Sequence, residues 1–112
     1  MADQLNKLTS KIDPTSARFE KNMRSMAELV SAIRNEEEQI RQGGGEKAIE
    51  SQHGKGRLTA RERINLLIDR DTEFFELGIY AAYEMYEEWG GAPSAGVVAG
   101  LGRIHGQPVP LS

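Results

Sequence analysis

The sequence reads as an α/β chain, mostly helical with a few strands near its C-terminal end, and three observations point that way. Apolar residues recur at alternating four- and three-residue steps from Phe19 to Ile40, the period of one helix face. Thr59 followed by Glu62 forms a capping box, in which hydroxyl and carboxylate each satisfy a backbone N–H at a helix start, so a second helical stretch begins at Ala60. Beyond it the chain turns acidic, aromatic and glycine-rich, with strand-like runs separated by turn signals.

Residues 1–13 lack strong punctuation and are expected to be a flexible lead-in, with one domain portion over 14–112. Asp13 is suited to cap and Pro14 to open a helix running from about residue 14 to 42, roughly 40 Å long at its rise per residue. Phe19, Met23, Met26, Val30, Ile33 and Ile40 make its apolar seam, with Glu37 the one polar interruption. Five Lys/Arg balance five Glu between Ser16 and Gln42, as on a solvated back face. The seam fits a coiled-coil partner or the body of a larger domain.

Gly43-Gly44-Gly45 ends this helix. No Gly-Lys-Ser/Thr follows at Walker spacing, so the triplet reads as a hinge or cap and not as a phosphate loop. Glu46 to Gln52 make two further turns before Gly54, and the capped helix runs from Ala60 to Leu67 or Ile68 with Ile64, Leu67 and Ile68 as its stripe. Glu73-Phe74-Phe75-Glu76-Leu77 starts a short strand. Glu84, Glu87 and Glu88 read as a hydrated face, and residues 88–96 as a loop in which Trp89 can anchor against a neighbour. Val97 to Ile104 is a strand whose glycines permit close backbone approach, and His105-Gly106 is a hairpin turn. Pro108 and Pro110 cannot both lie in a central strand, so the returning strand is expected to be cut off almost at once.

With 112 residues and a hydrophobic share of 38%, the chain is at most one small domain and reads as an extended helical piece or part of something larger. It has no cysteine, which excludes disulfides, a thiolate nucleophile and a Cys-based metal site. His53 and His105 are its two histidines; neither has a nearby Ser, Cys or His in sequence, and neither is a catalytic candidate. No metal site is expected. The N-terminus lacks a basic segment followed by an apolar core, and no apolar run spans a membrane, so a cytoplasmic setting is the expectation.

Charge is unevenly distributed. Residues 43–64 hold five Lys/Arg against three Glu, while residues 65–88 hold seven Asp/Glu against Arg70 alone. A local basic site beside an acidic one suits a small anion better than a nucleic acid. Lys55, Arg57, Arg61 and Arg63 crowd the positive end of the capped helix, where a phosphate would relieve their conflict with the macrodipole. The alternative is that these side chains are solvated or pair with the acidic residues downstream.

The run Gly54-Lys55-Gly56-Arg57-Leu58-Thr59-Ala60-Arg61-Glu62-Arg63-Ile64, preceded by Gly43-Gly44-Gly45-Glu46-Lys47, resembles the start of the carboxyltransferase (beta) subunits of biotin-dependent acyl-CoA carboxylases. The similarity continues through Phe75-Glu76-Leu77, the aromatic run to Tyr86, and Gly96 to Gly106, covering roughly residues 17 to 109. The Tyr/Trp-rich stretch leans toward the methylcrotonoyl-type branch. The resemblance implies a crotonase-like α/β fold, of which this span is the N-terminal portion. It implies transfer of a carboxyl group from carboxybiotin, presented by a partner biotin carboxylase/biotin carrier subunit, to the α-carbon of an acyl-CoA, in a homo-oligomer.

The family's oxyanion-hole loops lie downstream of the matched residues, so no catalytic residue is assigned to this span and the span alone is expected to be inactive. From the charge cluster and the CoA substrate, Lys55, Arg57, Arg61 or Arg63 is expected to contact CoA phosphate. The chain departs from the family after Val109, and truncation or frameshift is the simplest expectation. A non-catalytic helical interaction module built on the Phe19–Ile40 seam is the alternative function.

Overall fold

The computed structural model describes residues 9–112; the lead-in expected over 1–13 therefore falls largely outside the described residues. The chain divides into two units, Met1–Arg34 and Asn35–Ser112. Helix α1, Ala17–Arg41, runs from the first into the second.

In the first unit, α1 starts three residues later than the Asp13-Pro14 signal implied. Asp13 Oδ1 accepts the backbone N–H of Thr15 at 2.9 Å and its hydroxyl at 2.6 Å, so the carboxylate closes a local turn instead of capping the helix. Those two bonds, the hydroxyl first, hold the Asp13 carboxyl below its ordinary range. Ser16 is the cap: its Oγ accepts the N–H of Phe19 at 3.2 Å. Met23, Met26, Leu29 and Ile33 are exposed along this part of the helix.

The second unit holds the rest. Arg41, in the last turn of α1, lies 3.4 Å from Glu37 and 3.6 Å from Glu38. Gly43 and Gly45 adopt left-handed backbone at φ 57° and 84°, which stops the helix as the glycine triplet predicts. Helix α2 covers Glu46–Gly54 and helix α3 covers Ala60–Leu67. On α3, Ile64 and Ile68 are half-buried while Leu66 and Leu67 stay exposed, so only part of the apolar stripe is covered.

Three antiparallel strands follow, β1 Phe75–Leu77, β2 Ala99–Ile104 and β3 Gln107–Leu111, in the order β1-β2-β3. β1 pairs Glu76 with Gly100, and β2 pairs Gly102 with Val109. His105 and Gly106 turn the β2–β3 hairpin with positive φ of 51° and 77°, the pattern of a two-residue primed turn whose twist matches the strands. β3 then continues for five residues, contrary to the expectation that it would be cut off. The prolines are tolerated because β3 is an edge. The pair Ile104–Gln107 closes a two-residue turn, so hydrogen-bonded and free pairs alternate from there, and Pro108 and Pro110 occupy positions where an N–H would point away from β2.

The glycines of β2 are dictated by packing. A Cβ on Gly100 would run into the Phe75 carbonyl oxygen and lie 2.7 Å from the Phe74 ring; one on Gly102 would lie 2.7 Å from Ile68 and 3.1 Å from Leu111. Phe74 thus lies across the middle strand, with Ile68 and Leu111 closing over Gly102. Around it the core is thin: among the described residues Ile40 is the one buried apolar side chain.

Candidate functional site

The basic stretch between α2 and α3 is held from both ends. On the α2 side, Lys55 N–H and Arg57 N–H both donate to the Gln52 carbonyl, at 3.1 and 3.0 Å, and Gly56 N–H donates to the His53 carbonyl at 2.9 Å. The helix's last carbonyls are thereby satisfied, and Gly56 takes the left-handed φ of 68° that this wrap requires. On the α3 side the capping box forms as the spacing predicts. Glu62 N–H donates to Thr59 Oγ1 at 3.3 Å, and Thr59 N–H donates to Glu62 Oε2 at 2.7 Å.

His53 joins these two ends. Its Nε2 lies 2.9 and 3.0 Å from the two Glu62 carboxylate oxygens. The imidazole contact first, then the Thr59 N–H, hold the Glu62 carboxyl below its ordinary range. One carboxylate therefore caps α3 and tethers the end of α2. The residue spacing announced the cap but not the tether, because residues nine apart face each other only after the Gly54–Gly56 bend.

The four cations do not act alike. Arg61 forks onto Glu76 of β1, with Nη1–Oε2 at 2.5 Å and Nη2–Oε1 at 2.8 Å, and the Glu76 side chain keeps only 8% of its surface exposed. This is the downstream acidic pairing weighed above, realised at one residue. It also inverts the alternation of β1, where Phe75 and Leu77 face out and Glu76 faces in. Lys55, Arg57 and Arg63 are exposed and have no ion-pair partner among the described residues.

Two clefts flank α3 and separate these residues further. Arg63 borders an apolar cleft of about 680 Å³ with Leu58, Ile64, Leu67, Val97 and Leu111. Arg61 borders a second, of about 520 Å³, with Gly43, Gly44, Gln52 and Thr59. Lys55 and Arg57 line neither.

The acidic, aromatic segment packs on the last turns of α1. Tyr80 and Tyr83 meet edge to face with ring centroids 5.3 Å apart, and Tyr83 donates a hydrogen bond to the Glu36 carboxylate. Desolvation, followed by Glu36, pushes the Tyr83 phenol up. Ser94, buried at 5% exposure, donates from Oγ to the Ile79 carbonyl at 3.1 Å. Glu84, Glu87 and Glu88 are exposed, in agreement with a hydrated face. Trp89 is 82% exposed, leaving its indole face open among the described residues. Among the described residues no His/Cys/Asp/Glu group has metal-binding geometry, and no helix is long and apolar enough to cross a membrane.

A family described as "Carboxyl transferase domain" matches residues 51–111, the segment that contains α3, its cap and all three strands. The Drosophila melanogaster protein named "Probable methylcrotonoyl-CoA carboxylase beta chain, mitochondrial" is 46% identical over 101 residues, which is 90% of this chain and 17% of that protein. The "Probable biotin-dependent acyl-coenzyme A carboxylase beta2 subunit" of Mycobacterium tuberculosis is 35% identical over 99 residues, 88% of this chain and 18% of that one. Among solved structures, the beta subunit of Pseudomonas aeruginosa geranyl-CoA carboxylase superposes with a TM-score of 0.76 at 27% identity, covering 92% of this chain and 19% of that chain. The transcarboxylase 12S hexamer with methylmalonyl-coenzyme A bound gives 0.67 at 36% identity, over 76% of this chain and 17% of that chain. The chain thus spans less than a fifth of the length of these relatives.

Proposed function

The chain belongs to the carboxyl transferase domain family, and from that premise we propose that it serves as one segment of an acyl-CoA carboxyltransferase. The three-stranded sheet and its helices are part of a crotonase-like fold. In the proposed reaction a carboxyl group passes from carboxybiotin to the α-carbon of an acyl-CoA. The carboxybiotin is a co-substrate delivered by a biotin carrier partner, and no residue of this chain is assigned to it. The catalytic oxyanion holes belong to loops outside the matched residues, so the segment's contribution is to binding and scaffolding. A homo-oligomeric setting is part of the proposal, supported by the hexamer named for the transcarboxylase relative. So is a cytoplasmic location, although the Drosophila relative is named as mitochondrial.

One observation carries the proposal for the site. Lys55 and Arg57 sit on a loop pinned at both ends and, like Arg63 one turn into α3, have no ion-pair partner among the described residues. A phosphate group of CoA is the ligand these cations suit, since an anion there also meets the helix dipole. Arg61 belongs to the same cluster, but its guanidinium is engaged by Glu76 and it acts by holding α3 against β1.

The test uses a complete carboxyltransferase subunit carrying this segment. Arg57→Gln with Arg63→Gln should raise the KM for acyl-CoA while leaving the KM for a thioester that lacks the nucleotide nearly unchanged. Equal effects on both substrates would discard the phosphate assignment.

A further inference from the structure

Two of the five residues between His53 and Thr59 are glycines, and the backbone bonds at either end of this loop stay within one helix. Lys55, Gly56 and Arg57 donate to carbonyls of Gln52 and His53 on α2, and the capping box closes between Thr59 and Glu62 at the start of α3. Among the described residues, the side-chain hydrogen bond that crosses from α2 to α3 is the one from His53 to Glu62, at 2.9 and 3.0 Å to the two carboxylate oxygens. A carboxylate can only accept, so the imidazole Nε2 carries the proton and donates.

Glu62 is an anion set among cations. It lies in the first turn of α3, five positions from Arg57 and seven from Lys55, and neither cation has an ion-pair partner among the described residues. The Glu62 carboxylate is instead taken up by Thr59 N–H on Oε2 and by the imidazole across both oxygens. Released from the imidazole, it would attract Lys55 and Arg57 to itself and repel an incoming phosphate.

We propose that His53 is a positioning residue for acyl-CoA: by engaging Glu62 it reserves that carboxylate for the helix cap and leaves Lys55 and Arg57 to a CoA phosphate. The role rests on the phosphate contact proposed above for those two cations. His53 itself touches no reacting atom, in keeping with its absence from the catalytic candidates.

The test uses a complete carboxyltransferase subunit carrying this segment, assayed at low salt. His53→Ala should raise the KM for acyl-CoA about twofold to fivefold, the strength of an exposed ion pair competing for the site, with kcat and the KM for a thioester lacking the nucleotide nearly unchanged. Glu62→Gln added to that variant should return the KM for acyl-CoA to its original value, because Gln still completes the capping box but carries no charge. A loop merely loosened by loss of the tether would not be repaired by removing the charge. An unchanged KM in His53→Ala, an equal rise for both thioesters, or a double variant no better than His53→Ala would each overturn the role of His53. The phosphate contact is judged separately by Arg57→Gln with Arg63→Gln. If those changes raise the KM for acyl-CoA while His53→Ala does not, the contact stands and the role of His53 falls; if neither raises it, both fall.

Discussion

The carboxylate of Asp69 and the backbone of Gly106, 37 residues apart, are joined by a 2.7 Å hydrogen bond from the Gly106 N–H to Oδ2. The second oxygen takes the His105 N–H at 2.7 Å, and the Asp69 N–H in turn donates to the Arg103 carbonyl at 2.8 Å. The residue that follows the last turn of α3 therefore holds the tip of the β2–β3 hairpin. Asp69→Asn keeps the shape but offers one acceptor oxygen and no charge. Amide exchange at His105 and Gly106 should accelerate more than anywhere else in the sheet, while α2 amides keep their rates.

Acid should loosen the second unit at two places. Gly106 N–H first and His105 N–H second hold Asp69 below its ordinary 3.8, and His53 first holds Glu62 below its ordinary 4.5. Both pKa values are lower in the folded chain. Their stabilisation is thus complete above those ordinary values and is lost as pH falls through the depressed ones. Carboxyl NMR titration should show both groups titrating below their ordinary values. In His53→Gln the Glu62 titration should move up toward 4.5 while that of Asp69 stays in place.

The Arg61–Glu76 fork predicts an asymmetry between its partners. Glu76→Ala strands a half-buried guanidinium beside β1 and should cost about 3 kcal/mol, the low end for breaking a buried pair because Arg61 keeps some contact with water. Replacing both residues by apolar ones of similar size, Arg61→Met with Glu76→Leu, should cost much less. Urea unfolding of the two variants checks the contrast.

Adding a methyl group to β2 should be disruptive at Gly100, where the contact is a backbone carbonyl held by the β1–β2 ladder. Gly100→Ala is expected to destabilise by about 1–3 kcal/mol, as for overpacking generally. Gly54→Ala, at a position with open space for a Cβ, is the control and should leave the urea midpoint nearly unchanged.

Local chemistry made much of this chain legible. The Thr59–Glu62 box, the glycine stop after α1 and the His105-Gly106 turn each depend on residues within four positions of one another, and each lies where the sequence places it. The family was legible for a related reason: the ordered run from Gly54 to Gly106 carries it without reference to geometry. What only the tertiary structure decided are the long-range partners. It turned Glu76 inward against Arg61, tied His53 to Glu62, set Asp69 under the hairpin, and let β3 run on past two prolines by leaving it at the sheet edge. A carboxylate's partner is chosen by which donors the packed chain brings within about 3 Å. Spacing along the sequence does not encode that choice, and so the basic cluster, uniform when read as a string, divides in space into one structural arginine and three cations without an ion-pair partner among the described residues.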